Sequence, residues 1–164
     1  MLFFIITACT ILLLACNKTD MQAPAAVNTI SASEVNSSAM ALSKINALTA
    51  HPWMYQGYYF RYIDQQHKGD PQYVRGSNNN IINLDDTRFT YKKNGTFIEL
   101  DGGYTYPGTW KFTDAADTVL VLNYSWGTNV NTIIALNSNH LKYKEPIGSY
   151  SHNNFAYSEL IPAP

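Results

Sequence analysis

Histidine and carboxylate side chains, which carry most acid–base and metal chemistry in proteins, are few and scattered in this chain. The sequence has 4 histidines, and they lie far apart, at His51, His67, His140 and His152. None of them stands in a metal-ligand motif, whereas a zinc site needs roughly three or four converging ligands. Asp85-Asp86 is the only adjacent acidic pair, and it favours a turn before a strand over acid–base catalysis. The sequence also lacks a Gly-x-Ser-x-Gly elbow and a phosphate loop. We therefore expect no metal site, no cofactor and no enzymatic activity.

Aromatic side chains are the residues of this sequence that could line a binding site. The chain has 12 Tyr, 7 Phe and 3 Trp, and many of them alternate with polar residues in short segments. Alternate residues of a strand point to the same face, so one predicted face carries Phe89, Tyr91, Phe97, Trp110, Phe112, Leu120, Leu122, Leu141 and Tyr143. Such a face is either a packed core or, in part, the wall of a cavity. Our candidate ligand-binding residues are Trp53, Tyr91, Phe97, Tyr106, Trp110 and Tyr143.

A cysteine that could accept a lipid follows the apolar N-terminus. Residues 2–15 form a run of 14 almost wholly apolar residues, and the first charged side chain is Lys18. This run is short for a membrane-spanning helix, which needs about 20 residues, but it suits the apolar core of an export signal. Leu13-Leu14-Ala15-Cys16 resembles the lipobox of bacterial lipoprotein signals, whose cysteine is diacylated. We expect a signal over 1–15, palmitate or a similar acyl chain on Cys16, and anchoring in the bacterial cell envelope, at the outer membrane.

The remaining composition narrows the class of protein. The second cysteine, Cys9, lies inside the predicted signal, so the mature chain could form no internal disulfide and no thiolate metal site. A net charge of −1 and a pI near 6.4 argue against a nucleic-acid partner. Residues 16–37 mix Ala, Ser, Thr, Asn and Pro without periodicity, as a flexible tether would. We expect one domain over 38–164, beginning with a short helix between Ser38 and Ala50 that Pro52 ends.

The elements that must position the aromatic residues are strands. The clearest signal is Asn94-Gly95 between two alternating segments, which predicts a hairpin with a type I′ turn. Gly57 is predicted to form a bulge within an aromatic first strand. Residues 64–80 are polar and are predicted to form a long loop. Short turns separate eight predicted strands, over 53–63, 88–93, 96–100, 104–113, 118–124, 130–136, 140–145 and 154–161. This spacing predicts an antiparallel meander, enough for an eight-stranded up-and-down barrel.

Residues 89–145 resemble the small lipocalin-like lipoproteins of the Bacteroidetes. The resemblance rests on the order of five short motifs, which are Asn94-Gly95-Thr96-Phe97, Gly108-Thr109-Trp110, Leu120-Val121-Leu122, Ile133-Ile134-Ala135-Leu136 and Leu141-Lys142-Tyr143. Lipocalin-type first strands usually carry Gly two residues before the Trp, and this sequence has His51 there. The resemblance implies a lipocalin-like barrel.

Two functions of different classes follow from these residues. In the first, the chain is a non-enzymatic, membrane-anchored module that holds a small apolar or amphipathic ligand in the barrel, with loop 64–80 over the mouth. In the second, the barrel core is solid and the chain contacts an envelope protein or a glycan, for example as an inhibitor or a complex subunit. The second would use the tyrosines of the first strand, Tyr55, Tyr58, Tyr59 and Tyr62, which occupy both of its faces.

Overall fold

The computed structural model describes residue 39 and residues 42–114, 116–148 and 154–164. The predicted signal over 1–15, the lipidation site Cys16 and the tether over 16–37 lie outside the described residues. A short helix covers residues 42–48, within the predicted range. Among the described residues, no helix has the length and apolar character needed to cross a membrane.

The described chain is all-β after this helix. Its nine strands are β1 (Trp53–Phe60), β2 (Asp70–Val74), β3 (Arg88–Tyr91), β4 (Thr96–Asp101), β5 (Tyr104–Phe112), β6 (Val119–Tyr124), β7 (Gly127–Leu136), β8 (Leu141–Pro146) and β9 (Phe155–Pro162). All pairings are antiparallel, in the order β2-β1-β3-β4-β5-β6-β7-β8-β9, and β1 also pairs with β9. This last pairing closes eight strands into a barrel, which confirms the predicted fold class.

The extra strand, β2, corrects the prediction of an uninterrupted loop over 64–80. It pairs with the second half of β1, while β3 pairs with Trp53 and Met54 at the start of β1. Two short strands therefore share one edge of the long first strand. The local sequence is polar and contains Pro71, but β2 is an edge strand, where a missing backbone donor is tolerated. The fully buried ring of Tyr73 fastens β2 to the core, a tertiary contact that the polar composition does not reveal.

The hairpin between β3 and β4 is confirmed, but its predicted type I′ turn is wrong. Gly95 has a φ of +81°, whereas Asn94 is not among the residues with positive φ. The Gly95 amide donates to the Lys92 carbonyl at 3.0 Å, and the Asn94 side chain accepts from the Thr96 amide at 3.1 Å. Only Gly95 of this turn has a left-handed backbone conformation, as in hairpins with a longer loop. Asn94 stays outside that conformation and stabilises the turn through the hydrogen bond that its side chain accepts from the Thr96 amide.

One end of the barrel is closed by the helix. The turns over 92–95, 113–118 and 137–140 lie at this end, together with the start of β1 and the last residues of β9. Leu48 is fully buried, and its carbonyl accepts a 2.9 Å hydrogen bond from Nε1 of Trp53. Lys44 donates to the carbonyls of Ala116 and Asp117 in the 113–118 turn. We call this the closed end, and the opposite end, which carries the turns over 102–103 and 125–126, the open end.

The predicted bulge at Gly57 is confirmed, and it shifts the register of the first strand against β9. Tyr55 pairs with Leu160 and Gly57 pairs with Glu159, so one residue of β1 is left without a partner there. A Cβ on Gly57 would lie 2.6 Å from the ring of Tyr59, closer than any side chain allows. The bulge returns Tyr58 to the inner face, opposite Ser158.

Candidate functional site

The inner face of the barrel changes character from the closed end to the open end. Strand alternation places Glu99 on the same face as Phe97 in β4, and Glu145 on the same face as Leu141 and Tyr143 in β8. Phe97 and Leu141 are buried apolar side chains, whereas both glutamates are only partly buried and lie nearer the open end. The interior is thus apolar at the closed end and acidic toward the open end.

A cavity of about 220 Å³ lies in the open half of the barrel. Strands β1, β3, β4, β6, β7 and β8 and the turn after β6 contribute its lining, which consists of Tyr55, Phe89, Glu99, Leu122, Tyr124, Trp126, Asn129, Asn131, Tyr143 and Glu145. Trp126, which is 64% exposed, and the exposed Asn129 mark its mouth. Asn131, only 1% exposed, marks its inner part. The barrel core is therefore not solid.

The two carboxylates of the cavity are poorly compensated. Burial raises the pKa of Glu99, although Tyr124 donates a 2.6 Å hydrogen bond from its hydroxyl to Oε2. Burial also raises the pKa of Glu145, although a hydrogen bond from Tyr58 opposes this, and the charge of Glu99 raises it further. Within the described part of the chain, no Lys, Arg or His nitrogen lies within 4.0 Å of either carboxylate. Each charge is therefore disfavoured unless a cation enters the cavity.

Several buried polar atoms in the interior have no partner among the described residues. They are both side-chain polar atoms of Asn131, Oγ of Ser158 and the hydroxyl of Tyr91. Asn131 lines the cavity directly, and Ser158 pairs across the sheet with Tyr143, which also lines it. An unsatisfied buried amide destabilises a fold by about 1–3 kcal/mol, so folded proteins rarely keep one without a reason.

Aromatic rings form the apolar wall of the cavity near its mouth. The rings of Tyr124 and Trp126 stack with their centroids 4.8 Å apart. Phe97 meets Tyr124 edge to face at 5.0 Å, and Tyr106 meets Trp126 in the same way at 5.2 Å. The wall is therefore held from behind by residues that do not line the cavity themselves.

A third glutamate, Glu159, faces outward and is paired with positively charged side chains. Glu159 lies on the outer face of β9, where Oε1 accepts from Lys68 Nζ at 2.8 Å and lies 3.3 Å from Lys142 Nζ. Burial alone would raise the pKa of Glu159, but hydrogen bonds from Lys68 and Tyr157 and the charges of Lys68 and Lys142 bring it below its ordinary value. Glu145, one strand away on the inner face, has a hydrogen bond from Tyr58 but no cationic partner among the described residues.

The six predicted ligand-binding residues lie at different positions between the closed end and the open end of the barrel. Tyr143 lines the cavity. Trp53, Tyr91, Phe97 and Trp110 are all buried in the hydrophobic core but are absent from the cavity lining. Tyr106 is half-buried and supports Trp126. The ligand-binding role of these six residues stays a prediction, and the geometry favours Tyr143 for it.

The sequence prediction omitted the polar members of the lining, Glu99, Glu145, Asn129 and Asn131. A signal for them was present, because each stands an even number of residues from a predicted inward-facing residue or from another member of its row. Glu99 follows Phe97 by two positions, and Glu145 follows Tyr143 by two. A charged residue at an inward position of a barrel strand marks a wet interior, since carboxylates are seldom buried unpaired.

The loop expected over the cavity lies elsewhere. Residues 61–69 fold against the outer face of β9, where the ring of Tyr62 stacks on Tyr157 with centroids 4.5 Å apart. Gln65 Nε2 donates to the Tyr157 hydroxyl at 3.0 Å. Residues 64–69 of the loop predicted to cover the mouth therefore pack outside the barrel, because Tyr157 provides an aromatic surface there, and the cavity lining contains none of the described residues 64–80.

Histidines and acidic residues do not assemble into a metal centre in the described ranges, where no three His, Cys, Asp or Glu side chains group together. Asp85-Asp86 forms a turn before β3, as predicted. The carboxylate of Asp85 accepts a 2.7 Å hydrogen bond from the Tyr73 hydroxyl, which ties this turn to β2.

Comparison with known proteins identifies similar folds. No family model matches the chain, and no curated protein matches it. A DUF4847 family protein from Bacteroides vulgatus is 17% identical, with 70% of this chain and 93% of that chain covered and a TM-score of 0.49. A lipocalin-like protein from Bacteroides uniformis is 12% identical, with coverages of 71% and 99% and a TM-score of 0.46. A triple mutant of bovine odorant binding protein is 16% identical, with coverages of 68% and 72% and a TM-score of 0.33. The predicted likeness to a lipocalin-like Bacteroidetes protein is confirmed, and it concerns the fold alone.

Proposed function

We propose that this chain is a non-enzymatic binding module that holds one small amphipathic molecule in the open half of its barrel. The observation that carries the proposal is the cavity itself, whose lining sets the rings of Phe89, Tyr124 and Trp126 against Glu99, Glu145 and Asn129. The lining residue Asn131 also keeps a buried amide that is unpartnered among the described residues, a cost to stability that an apolar core residue would avoid.

The lining favours an amphipathic ligand over a purely apolar one. Phe89, Leu122 and the stacked pair of Tyr124 and Trp126 would contact an apolar body. The glutamates and asparagines would contact a polar end. A volume of about 220 Å³ lies below the roughly 300–1,000 Å³ of sites for drug-sized molecules, so the ligand is a small one.

Titration calorimetry of the full chain tests this proposal. Phenethylamine, phenethyl alcohol and phenylacetate share one small aromatic body and differ in their polar end. We expect saturable one-to-one binding of at least one of them, and its loss in Asn129→Trp, which places a large ring at the mouth. Thr132→Trp, on the outward-facing side of the same strand, is the matched control and should bind normally. Absence of saturable binding for all three probes would overturn the proposal.

The anchor forms the second part of the proposal. We propose that Cys16 carries a lipid and that residues 16–37 link it to the barrel, which would place the binding site at the bacterial cell envelope, at the outer membrane. The lipobox-like residues 13–16 and the apolar run before them support this. Labelled palmitate should be incorporated by the full chain and not by Cys16→Ser, and fractionation should find the label in the membrane. Equal labelling of the two would contradict the anchor.

The rival hypothesis of a protein- or glycan-contacting module assumed a solid barrel. The cavity removes that assumption, and we therefore rank small-molecule binding first. A pull-down from envelope extracts in which Asn129→Trp and the native chain recover the same partner would favour the rival.

A further inference from the structure

The cavity holds two carboxylates and, within the described part of the chain, no counter-ion for them. Glu99 and Glu145 reach it from strands on different sides of the barrel, β4 and β8. The two carboxylates interact electrostatically, since the charge of Glu99 contributes to the raised pKa of Glu145. Bringing two like charges into a partly dry cavity is unfavourable, and proteins relieve it either by protonating a carboxylate or by holding a cation beside the pair.

The other groups of the cavity suit the same kind of ligand. Burial raises the pKa of Tyr55 and Tyr143 well above the ordinary value, so both phenols stay neutral and add no further negative charge to the cavity. Asn129, whose side chain is exposed at the mouth, brings an amide oxygen to the lining. An ammonium group has three donors and no acceptor, so carboxylates and an amide oxygen match it.

The aromatic wall adds a second reason. Cations are attracted to the faces of Trp and Tyr rings, by about 0.5–2 kcal/mol according to how far they are desolvated. Trp126 and Tyr124 present stacked rings at the mouth, and Phe89 and Tyr55 lie edge to face at 5.6 Å on the opposite part of the lining. A ligand with an aromatic or aliphatic body would pack on these rings while its charged end reached the glutamates.

We infer that the cavity takes a small organic amine, with its ammonium group bound by Glu99 and Glu145 and its apolar body against the aromatic wall. This inference rests on the proposed function, because it names the ligand class of the same site. It narrows the expected small apolar or amphipathic ligand to a small cation with an apolar body.

A divalent metal ion fits the lining less well than an amine. Calcium takes about six to eight oxygen ligands, and the cavity offers two carboxylates, two amides and otherwise aromatic or aliphatic side chains. Calcium nevertheless serves as a competing probe, because it would share the carboxylates without using the aromatic wall.

The three matched probes distinguish the inference from the proposed function. In calorimetry with the full chain at neutral pH, phenethylamine should bind at least about tenfold more tightly than phenethyl alcohol, and phenylacetate should bind most weakly. If the alcohol or phenylacetate binds as well as the amine, the ligand-binding function stands and the amine inference fails. If none of the three binds, both fail.

Isosteric variants locate the charge that matters. Glu145→Gln and Glu99→Gln should each weaken phenethylamine binding by about tenfold or more and leave phenethyl alcohol binding within about twofold. Glu159→Gln is the matched control: it removes a glutamate of the adjoining strand that faces outward to Lys68 and Lys142, and it should bind phenethylamine as the native chain does.

Two further results would overturn the inference. The first is saturable binding of calcium chloride in calorimetry, with a higher affinity than that of phenethylamine and with competitive displacement of the amine. The second is an equal loss of phenethylamine binding in Glu159→Gln and in Glu145→Gln, because the loss would then reflect the stability of the barrel. Thermal unfolding of each variant accompanies the titrations, so that a variant that does not fold is recognised.

Discussion

The inner side chains at the closed end of the barrel differ in polarity and in hydrogen bonding from those at the open end. At the closed end, the buried side chains include Leu48, Trp53, Leu120, Leu141 and Leu160, and the one polar atom of Trp53 is satisfied by the Leu48 carbonyl. At the open end, the same inner face carries Glu99, Glu145 and Asn131, whose polar atoms are charged or without a partner in the described chain.

This difference separates stability from binding. A packed apolar interior supplies most of the free energy that holds a domain together, and the closed end provides such an interior. The open end contains groups that weaken the fold when it is empty, which is the arrangement expected of a site. The predictions below compare substitutions at the two ends.

The largest expected effect is at the closed end. Trp53→Ala removes a fully buried indole and its 2.9 Å hydrogen bond, and we expect the free energy of unfolding to fall by about 3–5 kcal/mol. Trp126→Ala, at the 64% exposed ring of the open end, should change it by less than about 1 kcal/mol. Urea unfolding followed by far-ultraviolet circular dichroism measures both. Similar losses for the two variants would break the comparison.

A smaller effect of opposite sign is expected at the open end. Asn131→Leu replaces an unpartnered buried amide with an apolar group of similar size, so the free energy of unfolding should rise by about 1–3 kcal/mol. The same variant should lose most of its phenethylamine binding. Asn129→Leu, at the exposed mouth, is the control for stability and should unfold like the native chain. A destabilised Asn131→Leu would mean that the amide has a structural partner in the protein.

The pH dependence of stability should also divide the inner from the outer carboxylates. Burial raises the pKa of Glu99 and Glu145 above the ordinary value of 4.5, so between 4.5 and the raised values the folded chain binds more protons than the unfolded chain. The free energy of unfolding therefore falls as the pH rises through that window. Glu159 has a lowered pKa, so its contribution is present above 4.5 and is lost as the pH falls through the lowered value.

Urea unfolding across a pH series measures this division. Glu145→Gln should flatten the fall of stability on the higher-pH side of 4.5, and Glu159→Gln should flatten the loss on the lower-pH side. In the native chain, saturating phenethylamine should also reverse the fall of stability as the pH rises above 4.5, because a bound cation favours the charged carboxylate. An unchanged profile in Glu145→Gln would show that its carboxyl is solvated in the folded chain.

The smallest expected effect tests how the closed end is closed. Lys44→Met removes the hydrogen bonds from the helix to the carbonyls of Ala116 and Asp117, and we expect a loss of about 0.5–1.5 kcal/mol. Ser43→Met, at an exposed position of the same helix, is the control. Proteolysis of the native chain and both variants should show earlier cleavage near residues 42–48 in Lys44→Met alone. Equal cleavage rates would mean that the helix is held by Leu48 without these bonds.

The fold was predictable from sequence because its signals are local. Alternation in segments such as Phe89–Tyr91 and Trp110–Phe112 indicates a strand and its inner face, and turn residues such as Gly95 separate the strands. The strand β2 was missed, since Asp70–Val74 has no alternation and is held by the burial of Tyr73 and the free edge of β1. The turn at Asn94 was misassigned because its side chain competes with the backbone for hydrogen bonds.

The sequence by itself determined which aromatic and aliphatic residues of β3, β4, β5, β6 and β8 face the interior of this protein. Only the tertiary structure decided how far from the closed end each residue lies and which segment covers it. The helix over 42–48 fills the end that contains Trp53 and Leu141, whereas the loop over 61–69 packs outside on Tyr157. The physical reason is that alternation has a period of two residues and carries no information on which end of a strand is plugged. Closure depends on contacts between distant segments, and these leave Glu99, Glu145 and Asn131 around a cavity.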